Sequence, residues 1–441
     1  MWATQWPPVS LASSAAFLEQ DGHTVKIIDF PASGLDAVSL KEIVARDQPQ
    51  FAIWSTGTPT LRFDLNLGNI LKEAAPGAMR GVIGTHVSVF PEEAFDLSSI
   101  DVVIRREPEE IIRNLCNGMA WESIPGISYR ERREGRIRHN PDADFLSPEK
   151  IPFPAWHLMD IRPYRLPLKG KPFLIVAPIR GCPYPCSFCT APIYYGKSLR
   201  KRPIKLVVDE IEYDISKFRL RDFFIWADTF TADKDYAKSF SREIISRGLN
   251  ISWTCNSRVD TLDGEMLGIM KRAGLWMISL GLESGSDRVL RGSGKNITVE
   301  QSRRAVTMAH QLGIRTSGHF IFGLPGETEK TMLQTLTLAL DLPLDIAQFY
   351  AAAPFPGTRL YEESVKRGWL QAASSLSQSH AVMNLPGLPA EKVDTFRRHA
   401  YKRFYLRVMT LMNLFGMIDP AAMKNVLVNL RRVFRWMRGT S

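Results

Sequence analysis

Apolar and polar positions along this chain switch repeatedly between a helical period and short β-rich runs. In residues 1–145, Val9–Gln20 reads as a helix, Val25–Phe30 as a short strand and Leu35–Arg46 as a second helix. Phe51–Ser55 is an apolar strand and Leu61–Ala75 an amphipathic segment. Gly81–Gly84 and Asp101–Arg105 give two more strands, and Pro108–Cys116 a helix. Such alternation predicts a parallel sheet covered by helices. Ligands of these sheets sit beyond the carboxyl ends of the strands. Ser55-Thr-Gly-Thr58 and Gly84-Thr-His86 fall at two such ends and are small and polar.

Residues 146–172 lack periodicity and carry Pro148, Pro152, Pro154, Pro163 and Pro167, the pattern of a linker draped over a surface. From Phe173 the alternation resumes. Phe173–Pro178, Phe223–Ala227, Ile251–Thr254, Met277–Leu282, Thr316–Phe322 and Ile346–Ala351 are strand candidates. Helical runs separate them, among them Lys205–Phe218, Lys234–Arg247, Gly264–Ala273, Val299–Leu312 and Glu329–Leu340. Six strands with six crossovers predict a parallel barrel, open or incomplete, with its chemistry at the carboxyl ends. Residues 366–441 do not continue this pattern. A helix is expected from Leu388 through Val408, followed by an apolar run Met409–Ile418. Lys424–Arg438 then sets Arg431, Arg432, Arg435 and Arg438 beside Val433, Phe434 and Trp436. That last stretch reads equally as a membrane-surface helix or as a helix packed on the barrel with a solvated basic face.

Composition adds bounds. The 441 residues suit two or three domains, with apolar content ordinary for a globular core. Net charge is +10, which fits an anionic partner or general surface charge. No dedicated RNA-binding module is visible, so nucleic acid is not an expected partner. No secretory signal or bilayer-length apolar run is apparent. The chain has five cysteines, three of them in one loop and none suggesting a disulfide framework, which points to a reducing, cytoplasmic setting.

That loop, Arg180-Gly-Cys-Pro-Tyr-Pro-Cys-Ser-Phe-Cys-Thr190, carries the most specific chemistry. Three closely spaced thiolates, Cys182, Cys186 and Cys189, can hold three irons of a 4Fe–4S cube and leave the fourth open to a substrate or cosubstrate. A closed zinc site needs a fourth ligand at similar spacing, and no Cys or His follows closely.

The C-x3-C-x2-C spacing, with Phe188 before the third cysteine, resembles the signature of the radical S-adenosylmethionine (radical SAM) superfamily, in which SAM chelates the open iron. Further segments match that superfamily in order over residues 173–365. Ala227-Asp-Thr-Phe-Thr231 is similar to its D-x-F-like turn, Asn256-Ser-Arg-Val-Asp260 to its N-x-R-x-D segment and Gly281-Leu-Glu-Ser-Gly285 to its G-x-E-S-G. Gly318-His-Phe-Ile-Phe-Gly-Leu-Pro-Gly-Glu327 resembles its fifth-strand motif, and Pro354-Phe-Pro-Gly-Thr-Arg-Leu-Tyr361 the segment after the sixth strand. The resemblance implies that Phe188, Arg258, Glu283, Ser284 and Gly323 surround SAM. Arg258 would grip the SAM carboxylate through two hydrogen bonds, unless it is held in a salt bridge to Asp260. Glu283 would accept hydrogen bonds from the ribose or amino group, unless it is a surface carboxylate. Gly323 would let backbone approach the adenine.

Upstream, Pro7-Pro-Val-Ser-Leu-Ala12, Gly22-His-x-Val-x-x-x-Asp29, Ser55-x-Gly-Thr58, and Gly84-Thr-His86 with Pro91-Glu-Glu93 resemble the cobalamin-binding module of cobalamin-dependent radical SAM enzymes. Ser55, Thr56, Thr58, Gly84 and His86 would then face cobalamin. The D-x-H-x-x-G motif is absent, because residue 26 is Lys, so no histidine ligand is expected from it; His86, in the family's G-x-H position, is expected near the corrin or in a structural role rather than on cobalt. Relatives place a strand before the double proline, and the module is therefore expected to lack its first strand. Methylthiotransferases of this superfamily hold a second cluster on three N-terminal cysteines, but only Cys116 precedes Cys182. Cys255 reads as a buried thiol. Ala400-Tyr-Lys-Arg-Phe-Tyr-Leu-Arg407 resembles the Y-x-x-F-Y-x-R stretch found after the barrel in this group.

The fold class expected is α/β: a Rossmann-like doubly wound domain (1–145), a linker (146–172), a partial (β/α)6 TIM-type barrel (173–365) and a basic helical extension (366–441). The function implied by the resemblance is reductive cleavage of SAM at a 4Fe–4S cluster to a 5′-deoxyadenosyl radical. That radical takes hydrogen from a substrate carbon for cobalamin-dependent methyl transfer. Oxidative cyclisation or rearrangement of a tetrapyrrole, hopanoid or other lipid-like substrate is the alternative, and a non-catalytic iron–sulfur or cobalamin sensor the reading from another class. Partners implied are a small-molecule or lipid-like substrate and an electron donor such as flavodoxin or ferredoxin. Membrane-surface contact through the basic tail would make the protein peripheral.

Overall fold

The computed structural model describes residues 5–131, 135–166, 168–370, 376–419 and 422. The basic segment Lys424–Arg438 lies outside them. Two sheets organise the chain.

The first contains β1 (Phe51–Ser55), β2 (Met79–Ile83), β3 (Val102–Ile104), β4 (Ile127–Arg130) and β5 (Ile137–His139), in that order. β1 to β3 are parallel, whereas β4 and β5 form an antiparallel hairpin on β3. This hairpin departs from the expected pattern, because the charged run Arg130–Arg138 obscures the alternation of two short strands. Apolar clusters cover both faces of the sheet. The helix Val9–Gln20 is buried from Ala12 to Leu18, which its run of Ala and Ser side chains permits by allowing close packing on several sides. The expected strand Val25–Phe30 does not form. Residues 23–29 are irregular and Phe30 begins a short helix capped by Asp29. A β-rich run becomes a strand only where a neighbour supplies a ladder, and here Val25 and Ile27 are held by side-chain packing instead.

The described residues of 146–172 form two short 3-10 turns, Pro148–Lys150 and Trp156–Leu158, and are not merely draped over the surface. Trp156 and Tyr164 are fully buried in the main core, and Leu166 packs there too.

The second sheet is wholly parallel and has six strands: β6 (Phe173–Val176), β9 (Asp222–Ile225), β10 (Ser252–Ser257), β11 (Leu275–Glu283), β12 (Arg315–Phe322) and β13 (Ile346–Ala351). A two-stranded hairpin, β7 (Ile179–Arg180) with β8 (Arg200–Lys201), brackets the cysteine loop. Crossover helices begin at side-chain caps: Asp233, Asp263, Thr298 and Thr328 each accept from a backbone N–H of the first turn. Phe320, Phe322 and Phe349 point outward to the helix Ala390–Tyr405, where Phe349 meets Tyr401 and Phe404. The alternation of a strand therefore turns His319, Gln348 and Tyr350 to the inner face.

β13 is an edge strand, and the same helix caps it. The Tyr401 hydroxyl accepts from Phe349 N (2.9 Å), and the Tyr405 hydroxyl accepts from Ala347 N (3.3 Å) while donating to Ala347 O (2.8 Å). The two tyrosines of the Y-x-x-F-Y-x-R stretch thus satisfy backbone groups that would otherwise template aggregation. The next helix, Val408–Met417, leaves Val408 and Met412 exposed beside exposed Leu406. Among the described residues no helix is long and apolar enough to cross a membrane.

Candidate active site

The cysteine loop leaves β7 and returns through β8. Cys182 N donates to Gly196 O (3.1 Å), Ser187 N to Ser293 O (2.8 Å) and Leu360 N to Ser187 O (2.9 Å), so the loop is pinned at three places. Its three sulfurs interact electrostatically with one another, and burial pushes all three thiols up, Cys189 to about 12. Thiols raised this way are poor free nucleophiles. Metal ligation inverts the logic by deprotonating them outright. Among the described residues no three His, Cys, Asp or Glu side chains converge tightly enough for a single metal ion. A donor set of three thiols in one loop fits a cube, whose irons each take one. Phe188 packs against the main core beneath the loop. Cys255 is fully buried on β10 and Cys116 lies in the other domain, so neither joins the set.

Charged groups gather around Cys186. Arg258 Nη1 lies 3.7 Å from its sulfur, and the guanidinium stacks over the Tyr184 ring at 3.8 Å. The remaining edge of Arg258 is engaged: Nε and Nη2 each donate to Asp260 at 2.9 Å, and Nη2 also donates to Lys295 O at 2.7 Å. The two-bond grip expected for the SAM carboxylate is therefore used on Asp260, leaving Nη1 as the face toward the cysteine loop.

Glu283 ends β11 at a register shift and takes φ +60, a left-handed conformation uncommon for a carboxylate residue. Such kinks re-aim a side chain beside active sites. It is buried and pairs with Lys295 Nζ at 2.8 Å, so the surface-carboxylate alternative is excluded. Burial pulls the Lys295 ammonium down, but Glu283 and the Cys186 sulfur hold it above the ordinary lysine value. Lys295 escaped the sequence reading: Gly292-Ser-Gly-Lys295 looks like a turn, and only the fold brings it to Glu283. Asp228, in the D-x-F-like turn, is held up at about 6 by burial near the cysteines, while Thr229 lies 3.9 Å from the Cys182 sulfur.

Two other expected residues are placed differently. Ser284 turns its hydroxyl away to Thr335 (3.2 Å), tying the strand exit to a crossover helix. Gly323 takes φ +86, but on that side it faces Val393. Its N–H donates to Glu327 (2.5 Å), a buried carboxyl that burial raises to about 8. On the inner face, Tyr350 donates to Gln348 Oε1 (2.6 Å), so its oxygen accepts from His319 Nδ1–H (3.2 Å). His319 Nε2 is left as a buried acceptor without a partner among the described residues, and burial keeps the ring neutral by lowering its pKa.

In the N-terminal domain the ends of β1 and β2 meet. Gly84 takes φ +144, and a Cβ there would lie 2.0 Å from Thr56 O, so only glycine fits. Among the described residues the buried Thr56 hydroxyl has no protein partner, which fits a ligand group at this spot. His86 is committed on both nitrogens, to Thr58 (3.2 Å) and Glu93 (3.1 Å), and is not free to ligate cobalt. Ser55 is exposed next to them. This end faces the cysteine loop: a Cβ at Gly357 would meet Val89 and Ile193 at 2.9 and 2.8 Å, and Phe90 packs on Tyr361.

Comparisons with known proteins bear on the family and the fold. The profile of the B12 binding domain matches residues 2–116, and that of the Radical SAM superfamily residues 176–339. An uncharacterized methyltransferase of Pyrococcus horikoshii is 32% identical over 440 residues, covering 98% of this chain and 95% of the relative. The chain belongs to the cobalamin-dependent radical SAM enzymes. This radical SAM enzyme is also 26% identical to the cytidylyl-2-hydroxyethylphosphonate methyltransferase of Streptomyces wedmorensis, over 86% of its own length and 82% of the relative's. Its fold matches that of the radical SAM methyltransferase TsrM from Kitasatospora setae with TM-score 0.73 and 20% identity, over 95% of this chain and 89% of that one. The cofactors of the enzyme are a 4Fe–4S cluster, SAM and cobalamin.

Proposed function

We propose that this enzyme methylates a carbon of a hydrogen-bonding small molecule. Cys182, Cys186 and Cys189 would hold the cluster, Arg258, Glu283 and Lys295 SAM, and the Thr56–Gly84 cradle cobalamin. When bound, these groups supply a carbon radical and a transferable methyl group. The chain's residues supply position. Arg258, held by Asp260, presents one N–H to the Cys186 side, and the buried Glu283–Lys295 pair offers a carboxylate and an ammonium to the amino acid end of SAM. His319 Nε2, fixed as an acceptor by the Tyr350–Gln348 relay, receives a donor N–H or O–H on the substrate.

The observation that carries the reading is the apposition of the two cofactor ends through Val89, Ile193 and Gly357. A methyltransferase relative aligned along nearly the whole chain supports it. Other relatives are anaerobic magnesium-protoporphyrin IX monomethyl ester cyclases, such as that of Rubrivivax gelatinosus (29% identity). The polar inner face favours a smaller, more hydrophilic substrate than a tetrapyrrole. A low-potential protein such as flavodoxin or ferredoxin would supply the electron. The exposed Leu406, Val408 and Met412, followed by the basic sequence Lys424–Arg438, support contact with an anionic membrane surface.

The test is anaerobic reconstitution with iron, sulfide and cobalamin, then incubation with trideuteromethyl-SAM, a reductant and small-molecule extracts. A product carrying one trideuteromethyl group, dependent on Cys186, is expected. 5′-Deoxyadenosine formation without any methylated product would instead favour cyclisation or rearrangement.

A further inference from the structure

Three buried charges and one partly buried charge join the B12-binding domain to the base of the cysteine loop. Arg180, two residues before Cys182, donates from Nη2 and Nη1 to Glu109 at 2.5 and 3.2 Å, and Nη1 lies 3.4 Å from Glu107. Arg200, across the β7–β8 hairpin, pairs with Glu107 at 2.6 and 2.9 Å. Side-chain exposure is 6% for Arg180, 1% for Glu109, 4% for Glu107 and 14% for Arg200. Glu107 also accepts from Leu146 N (2.8 Å), and Arg200 donates to Leu146 O (2.7 Å) and Tyr195 O (2.8 Å). Aromatic faces complete the enclosure: Phe145 lies under Arg200 and Tyr195 beside Arg180. Burial would lower the Arg180 pKa, but the two glutamates keep it charged.

Buried ion pairs are weak sources of net stability, because desolvation offsets most of the attraction, and a registry role is their best-attested use. Here the registered element is the hairpin that aims the first cysteine. It has little slack, because Gly181 takes φ +89 and a Cβ there would lie 2.1 Å from Ser198 O. Two glutamates of one domain therefore fix two arginines that flank the loop of the other.

We propose that Glu107 and Glu109 are positioning residues: through Arg180 and Arg200 the B12-binding domain sets the register of the cluster-bearing loop. The inference rests on the reading that the three cysteines carry the cluster.

The test uses the full chain, reconstituted anaerobically. Glu109→Gln keeps shape but leaves Arg180 undercompensated. Expected are a wild-type circular dichroism spectrum, at least threefold less iron and sulfide per chain, and loss of the SAM-induced change in the electron paramagnetic resonance of the reduced cluster. The exchanged pair Glu109→Arg with Arg180→Glu should regain at least half of the iron. If Glu109→Gln does not fold, Glu107→Gln is read in the same way. Wild-type iron content and a wild-type response to SAM in the glutamine variant would overturn the proposal. So would an iron loss that only tracks the unfolded fraction. A wild-type chain that takes up no iron would instead overturn the cluster reading.

Discussion

Lys295→Met is the most informative single perturbation of the site. The Lys295–Glu283 contact is 2.8 Å long, and both side chains are less than a tenth exposed. Removing one partner of such a pair leaves a buried charge uncompensated, at a cost of roughly 3–5 kcal/mol. Glu283 has little freedom to escape to solvent, because its backbone is fixed at φ +60 by the register shift. Denaturant unfolding should therefore show a loss of that size in Lys295→Met. The double variant Glu283→Gln with Lys295→Met has no unpaired charge, and most of the stability should return. SAM affinity should not return, because both groups proposed to face the amino acid end of SAM are gone. Calorimetric titration of SAM into the reconstituted proteins under anaerobic conditions measures this. A Lys295→Met variant within ~1 kcal/mol of wild type would refute the energetic argument. A double variant that binds SAM like wild type would reduce the pair to structure.

Other outcomes follow from the same geometry. Asp214 is buried on the helix Ile204–Phe218 beside Glu210, and burial, then that neighbour, raise its pKa well above the ordinary carboxyl value. A raised folded pKa means that its contribution is full below the unfolded pKa, about 4, and is lost as pH rises toward the folded value. Asp214→Asn should therefore stabilise the protein above neutral pH, on the order of 2 kcal/mol, and flatten the fall in stability between pH 5 and 9 seen in urea melts. Gly84→Ala should lose bound cobalamin in the absorbance spectrum and more than ~1 kcal/mol of stability, because its Cβ would overlap Thr56 O. Changing Leu406, Val408 and Met412 to serine should abolish sedimentation with phosphatidylglycerol vesicles; unchanged binding would remove these residues from the membrane reading.

The cluster loop was legible because its chemistry is local: three thiols within eight residues need no tertiary information. The parallel sheet of residues 173–351 was legible because each strand is an apolar run followed by an amphipathic helix. What escaped depends on partners. Val25–Phe30 has the composition of a strand but lacks a ladder. Lys295 gains meaning only from Glu283, twelve residues earlier and across a register shift. The N-x-R-x-D segment offered both a SAM carboxylate and Asp260 as partners of Arg258, and only the fold shows Asp260 occupying its grip. Glu107 and Glu109 look like ordinary helix-start acids until the fold buries them against Arg180 and Arg200. Ser284 shows the converse: a motif residue in the expected place whose hydroxyl serves packing.

In the proposed reaction the two domains hold their cofactors for methyl transfer. Its most direct measurement needs no substrate. Reconstituted enzyme with cob(I)alamin is incubated with SAM labelled in its methyl group, and the bound corrin is re-isolated. The geometry predicts methyl label in the cobalamin of the wild-type protein and its loss in Gly84→Ala. Wild-type protein that retains cobalamin but acquires no label would rule out methyl transfer between the two cofactors.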